Sequence, residues 1–176
     1  MDNTANATDL TTVLEKMTNG LYIVTTRKKA INMETRNEDY LAAGTVAWAT
    51  QNSFEPPMVT IALRKDSDLA ETVAKSYQFA LHILGLDQKD MAKDFAEDSK
   101  VDRVHQKING YDFHNGLSTN LPVINGTIGY LECDLKEIYK NEGDHILFTG
   151  EVIGGEIHNE EAQPLHEWRT GMRYGG

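Results

Sequence analysis

Apolar positions along the chain recur at two spacings, and the alternation between them lays out the fold. From Asp9, Leu10, Val13, Leu14 and Met17 fall at helical intervals, with Asp9 as the expected cap and Gly20 as the expected stop. Leu21–Thr26 then reads as a short β run, and 27–40 as a polar loop or hairpin excursion. Leu41–Thr50 is strand-like, Pro56-Pro57 interrupts it, and Met58–Leu63 is strand again. A helix is expected over Asp66–Ser76, with Asp68 and Glu71 at capping-box spacing, then a strand over Gln78–Leu84 and a helix over Asp87–Ala96. In the last of these Met91 and Phe95 stand one turn apart and suit a core.

Residues 97–120 are polar and rich in Gly and Asn, which predicts a long surface loop with a helical turn or two. Leu121–Ile124 re-enters the core. Thr127–Tyr139 and His145–Ile157 read as two long strands joined by a turn at 140–144. No sequence repeats itself and no tract is of low complexity. The sum is a mainly β chain with short helices, an antiparallel barrel of Greek-key type, with residues 1–8 disordered and 9–176 as one domain.

Composition narrows the function classes. The net charge of −10 opposes a general nucleic-acid or anionic-membrane surface. The basic residues gather locally, at Arg27-Lys28-Lys29, Arg64-Lys65, and Arg169 with Arg173. An anionic small molecule suits such a spot; for Arg27-Lys28-Lys29 solvated loop charge is the preferred reading. Cys133 is the lone cysteine, which points to a reducing, cytoplasmic setting, and as a neighbour of Leu131 and Leu135 on one strand face it reads as buried filler. The N-terminus has neither the basic nor the apolar region of a signal peptide, and no apolar run reaches membrane-spanning length. The six histidines show no metal-ligand spacing, and no GxSxG, P-loop or GxGxxG occurs.

Three stretches carry candidate chemistry. In Met58–Arg64, Val59, Ile61 and Leu63 share a core face, while Thr60 and Ala62 leave the other face smooth. Thr45 and Ala47 alternate with Val46 and Trp48 in the same way. Small side chains let a flat ligand approach backbone N–H and C=O groups, although on composition alone close sheet packing is the preferred explanation. Arg64-Lys65-Asp66-Ser67 adds two cations, a hydroxyl and a helix start, which together suit a phosphate; alone, it reads as an ordinary Ser cap. Third, Gly143-Asp144-His145 delivers an imidazole at a strand start, either a ligand contact or a polar edge residue. Trp168 and Tyr174 in the tail suit a pocket cap or a dimer seam.

These stretches, in this order, resemble the flavin reductase-like, FMN-binding split-barrel proteins. The likeness rests on "NGLYIVTT" at 19–26, "AGTVAWATQNSFEPPMV" at 43–59, "RKDS" at 64–67, "FALHIL" at 79–84 and "DFA" at 94–96. It continues through "LPVI" at 121–124, "GYLEC" at 129–133 and "GDHILFTGEV" at 143–152. The stretch around Trp48 is similar to flavoredoxin-type members and to the flavin reductase modules of flavodiiron proteins.

The resemblance implies a homodimeric split barrel with FMN, rather than FAD, near the subunit interface. It implies Thr45, Val46, Ala47, Trp48, Ser53, Ala62 and Leu63 along the flavin, Arg64, Lys65 and Ser67 at its phosphate, Phe95 and Ala96 beside it, and His145 at the nicotinamide of NAD(P)H. The implied activity is NAD(P)H:flavin oxidoreduction, with electrons passing to a flavin-dependent or protein acceptor. A flavodoxin-like carrier reduced by a protein donor and a non-flavin ligand-binding module are the alternatives. The chain departs from many members at Ala47 and His82, where they carry Asn, at Glu97, where they carry Gly, and in a longer excursion at 32–40.

Overall fold

The structure is a computed structural model that describes residues 7–28 and 40–172. Residues 1–6 of the stretch expected to be disordered, Lys29, positions 32–39 of the excursion, Arg173 and Tyr174 lie outside the described residues.

Helix α1 runs over Ala7–Leu14, so Ala7 and Thr8 are helical and Asp9 lies inside the helix rather than capping it. The helix ends well before Gly20, which instead bridges to His166. Its apolar stripe does not enter the core: Leu10, Val13, Leu14 and Met17 are all exposed.

Strands β1 (Tyr22–Lys28), β2 (Tyr40–Val46), β3 (Ala49–Phe54) and β4 (Pro57–Arg64) follow. Then come α2 (Asp68–Ser76), β5 (Gln78–Ile83) and α3 (Lys89–Asp94). Four short strands come next, β6 (Val101–Asp102), β7 (Lys107–Ile108), β8 (Tyr111–Asn115) and β9 (Pro122–Ile124), before the long pair β10 (Gly129–Lys140) and β11 (His145–Ile157).

The expected single strand over Leu41–Thr50 is two strands. The chain breaks at Ala47-Trp48, and this break closes the barrel. The large sheet is antiparallel, in the order β2-β1-β5-β10-β11-β4-β3. Its two edges, β2 and β3, are consecutive in sequence and joined only by Ala47-Trp48. A flat sheet of this order would place them far apart, so the sheet must curl until its edges meet. The Ala62 N–H donates to the Trp48 carbonyl at 2.9 Å and anchors the junction.

Through its middle the curled sheet is buried on both faces, and β1 is buried at successive positions from Ile23 to Thr26. Inside lie Val24, Ile61, Leu63, Phe79, Cys133 and Phe148, and α2 plugs that core with Leu69, Ala70 and Val73. Outside, Leu21, Ile23, Leu84, Phe95, Ile124 and Leu165 form a second core beneath α3 and the short strands.

Residues 97–120 hold β structure rather than a loop with helical turns. Strands β6-β7-β8-β9 form a second small sheet that buries Ile108 and Phe113. Asn109-Gly110, both at positive φ, form the two-residue turn between β7 and β8, and Asn-Gly is the strongest short-range hairpin signal. Two buried polar groups dock this sheet on the large one. The Glu132 carboxylate accepts from the N–H groups of Ser118 and Thr119 and from the Thr119 hydroxyl at 3.1, 2.8 and 2.6 Å. His82 sets Nδ1 at 2.9 Å from the Ile23 carbonyl, and its Nε2 accepts from the Ile124 N–H at 3.1 Å. Burial pulls the His82 pKa down to about 4, so this clip works as the neutral imidazole.

Candidate functional site

Two clefts flank the barrel's closing junction and meet at Ala62 and Arg64, which line both. The first, of about 530 Å³, lies between β2, β4, the start of α2 and the segment after α3. Gly44, Thr45, Val46 and Leu63 form its floor, with Ser67 at one end and Phe95-Ala96 along one side. A Cβ on Gly44 would come within 3.1 Å of Leu69 Cδ2, a tight contact to which the Leu69 side chain would have to yield. Thr45 fixes this wall: its N–H donates to the Phe95 carbonyl at 2.9 Å and its hydroxyl to the Ala92 carbonyl at 2.6 Å.

Ser67 caps α2 in an extended conformation, one residue before the expected capping box. Its Oγ accepts from the Ala70 N–H at 3.1 Å and donates to the Arg64 carbonyl at 2.8 Å. That leaves the N–H groups of Asp68 and Leu69 as open donors of the first turn, the donor type that receives anions. Arg64 makes a two-pronged contact with Asp66, Nε to Oδ1 at 3.0 Å and Nη2 to Oδ2 at 2.8 Å, and this hydrogen bonding holds the exposed Asp66 carboxyl below its ordinary range. Asp66, Asp68, Glu97 and Asp98 line the same cleft, so its mouth is acidic.

The second cleft, of about 890 Å³, is lined by Trp48, Thr60, Ala62, His145 and Leu147, with Leu14 at the end of α1 and Met17 just after it along the rim. His145 pairs with Arg64, and Leu147 with Ala62, across β11 and β4. The imidazole rests against Trp48 with ring centroids 4.6 Å apart, and its side chain is only 12% exposed. Nδ1 lies 2.7 Å from Asp144 Oδ1, a contact that holds the Asp144 carboxyl below its usual range. This contact fixes the orientation of the ring.

Most of the residues singled out in the sequence therefore gather at one junction, and three do not line either cleft. Lys65 turns away: its N–H donates to the Asp144 carbonyl at 2.9 Å and its Nζ to the Asn141 carbonyl at 2.6 Å, which ties the turn to the β10–β11 hairpin. Ser53 lies beyond a register shift in β3, where its carbonyl accepts from Gln51 Nε2. Ala47 is 3% exposed and packs into the outer core, because the chain turns there instead of continuing a strand. Sequence reasoning missed Gly44, Leu147, Asp144 and the α1 rim. Leu147 was within reach of the two-residue period from His145; the α1 rim was not, because only the tertiary arrangement sets it there.

A small-residue floor, an anion-receptive helix start and an aromatic–imidazole wall thus meet at one seam of an antiparallel barrel. The family model for the flavin reductase like domain matches residues 14–176, and the chain belongs to that family. Over 104 residues it is 34% identical to the NADH-dependent FAD reductase of Streptomyces globisporus, covering 59% of this chain and 56% of the relative. Over 177 residues it is 24% identical to diflavin flavoprotein A 1 of Synechocystis, covering 94% of this chain and 27% of the relative. The chain thus spans about half, or about a quarter, of the length of these curated relatives.

Among solved structures, the S. globisporus NADH:FAD oxidoreductase in complex with NAD and FAD fragments superposes with a TM-score of 0.71 at 25% identity, covering 86% of this chain and 82% of that one. The styrene monooxygenase flavin reductase of Pseudomonas putida S12 shares the fold, with a TM-score of 0.72, 21% identity and 96% of each chain covered. Among the described residues no helix is long and apolar enough to cross a membrane.

Proposed function

We propose that this chain is an NAD(P)H:flavin oxidoreductase, with the flavin in the first cleft and the nicotinamide entering from the second. The observation that carries this reading is the junction at Ala62 and Arg64, where an anion-receptive cleft and an aromatic–imidazole cleft share a wall. Hydride donor and acceptor must lie face to face, and two clefts with a common wall bring two planar ligands to one place. The residues fit a flavin. Gly44 leaves the floor bare of a side chain, and the open N–H groups of Asp68 and Leu69 suit a phosphate. The flavin, when bound, supplies the hydride-accepting ring.

The chain's own residues hold and orient. Small side chains at Gly44 and Ala62 let the ring approach the backbone. Ser67 organises the α2 start, and Arg64 reaches a phosphate by exchanging Asp66 for it. His145 Nε2 accepts a hydrogen bond from a carboxamide N–H, and Trp48 excludes water from the same side. FMN is the proposed flavin, because a terminal phosphate matches a helix start better than a longer tail does. The electrons so gained would pass to a flavin-dependent or protein acceptor.

The barrel with its two cores reads as one domain over 9–176, in a cytoplasmic protein. The β10–β11 hairpin exposes Ile138, Tyr139, Ile153 and Ile157, apolar area that a second copy of the chain would cover in a homodimer.

Anaerobic titration of the flavin-loaded protein with NADH and with NADPH tests the reading. Bleaching of the visible flavin band by either nucleotide is the expected result. Bleaching only by a reduced iron–sulfur protein would identify a carrier instead, and a protein that takes up no flavin would end the proposal.

A further inference from the structure

Of the two basic residues in the 64–67 turn, Arg64 lines both clefts and Lys65 lines neither. Lys65 instead grips the β10–β11 turn at both ends. Its N–H donates to the Asp144 carbonyl at 2.9 Å, and its Nζ to the Asn141 carbonyl at 2.6 Å. Asn141 is the first residue after β10, and Asp144 the last before β11. Among the described residues no backbone hydrogen bond joins two members of 141–144, so the turn takes its position from outside itself. All four of its residues are exposed, and Gly143 among them favours no single conformation.

Asp144 passes that position on. Its Oδ1 lies 2.7 Å from His145 Nδ1, and the imidazole rests against Trp48 in the second cleft. The contacts thus run from Lys65 to the turn, from the turn to Asp144, and from Asp144 to His145.

From this relay we propose that Lys65 is a positioning residue for the nicotinamide: it holds the turn at 141–144 so that Asp144 fixes the His145 ring, and it takes no part in binding the flavin phosphate. Only the identity of the ligand at His145 rests on the proposed reductase reading. The side-chain chemistry suits the role. A lysine stem spans the gap from the end of β4 to the hairpin, and its ammonium makes a charge-assisted bond to a carbonyl. Successive side chains at a strand end diverge, which lets Arg64 face the clefts while Lys65 faces the hairpin. One short turn so serves both clefts: Ser67 caps α2 at the first, and Lys65 sets the wall of the second.

The test uses Lys65→Met, which keeps the stem and removes the ammonium, and Lys65→Arg, which keeps the charge. In Lys65→Met the KM for NADH is expected to rise roughly three- to fivefold with kcat within about twofold, the scale of a partly exposed charge-assisted bond. Lys65→Arg stays within about twofold of wild type. In a His145→Ala background Lys65→Met changes KM by less than about 1.5-fold, because the residue it positions is gone. FMN and riboflavin affinities stay within about twofold of wild type in both variants. Imidazole NMR signals of the flavin-loaded protein, recorded without nucleotide, read the positioning apart from hydride transfer. In Lys65→Met those of His145 shift or broaden while those of the buried His82 do not.

A loss of FMN affinity of about fivefold or more in Lys65→Met, with riboflavin unaffected, would make Lys65 a phosphate ligand and overturn the inference. An equal rise in KM with and without His145 would overturn it as well, as would unchanged His145 signals. If neither nucleotide reduced the flavin of wild type while the His145 signals still responded to Lys65→Met, the positioning would stand and the reductase reading would fall.

Discussion

Trp48 and His145 face each other across the barrel seam, their ring centroids 4.6 Å apart and their planes inclined by 46°. One comes from the break between the two edge strands, the other from the first residue of a strand that is not hydrogen-bonded to either edge. Strand β4 brings them together: it pairs with β11 on one side and holds the Trp48 carbonyl through the Ala62 N–H on the other. Aromatic pairs of this kind contribute about 0.5–1.5 kcal/mol, enough to orient both rings.

His145→Ala is therefore expected to raise the KM for NAD(P)H by about tenfold, the value of one oriented hydrogen bond to the nicotinamide, with flavin affinity nearly unchanged. Steady-state kinetics beside flavin fluorescence quenching would check it. A change in flavin affinity as large as the change in KM would show that His145 holds the flavin instead.

Glu97 lines the first cleft where a phosphate would have to approach. Replacing it with Gln removes one like charge from the mouth. FMN affinity is expected to rise by roughly two- to fivefold, on the scale of one partly screened charge pair, while riboflavin affinity stays put. Unequal responses of the two flavins would locate the phosphate end; equal responses would place it elsewhere.

His82 imposes a pH dependence on stability. Its folded pKa, near 4, lies below the ordinary value of 6.5, so the unfolded chain binds a proton there more readily than the native one. The stability that this buried neutral ring contributes is complete above pH 6.5 and is lost as pH falls towards 4. The full span corresponds to about 3 kcal/mol. Urea midpoints at a series of pH values in wild type and His82→Asn would show it: the variant should lose most of the slope in that window.

Glu132 carries the attachment of the small sheet. Glu132→Ala leaves the Ser118 and Thr119 N–H groups and the Thr119 hydroxyl without their acceptor. A loss of about 2–4 kcal/mol is expected, since several buried donors are orphaned together. Hydrogen exchange should show β8 and β9 opening before the large sheet does.

Cys133 is fully buried, and burial pushes its thiol pKa up to about 12. It is expected to resist alkylation in the native protein at neutral pH and to react at once in denaturant, which a mass shift would record.

Several elements were legible because their signal is local. The two-residue period fixed β4, β5, β10 and β11, since alternation follows from the pleat alone. Ser67 was legible as a helix start, and His145 as a residue delivered by a tight turn, each from neighbours a few positions away. The small sheet at 101–124 was obscured by its polar outer face, although Asn109-Gly110 announced its hairpin. The break at Ala47-Trp48 had no such marker, because Ala and Trp are both acceptable within a strand.

By itself, then, the sequence determined which segments are strands and helices, which residues face a core, and that small side chains, a basic turn and an imidazole belong to one family pattern. Tertiary structure alone decided which of them share a space. Curling set Ala62 and Arg64 between two clefts, turned Lys65 towards the hairpin, and carried Leu14 and Met17 to the rim beside Trp48. The reason is physical. Periodicity records on which face of its own element a side chain stands, whereas the neighbour across a gap depends on how distant strands pair and where the sheet's edges meet.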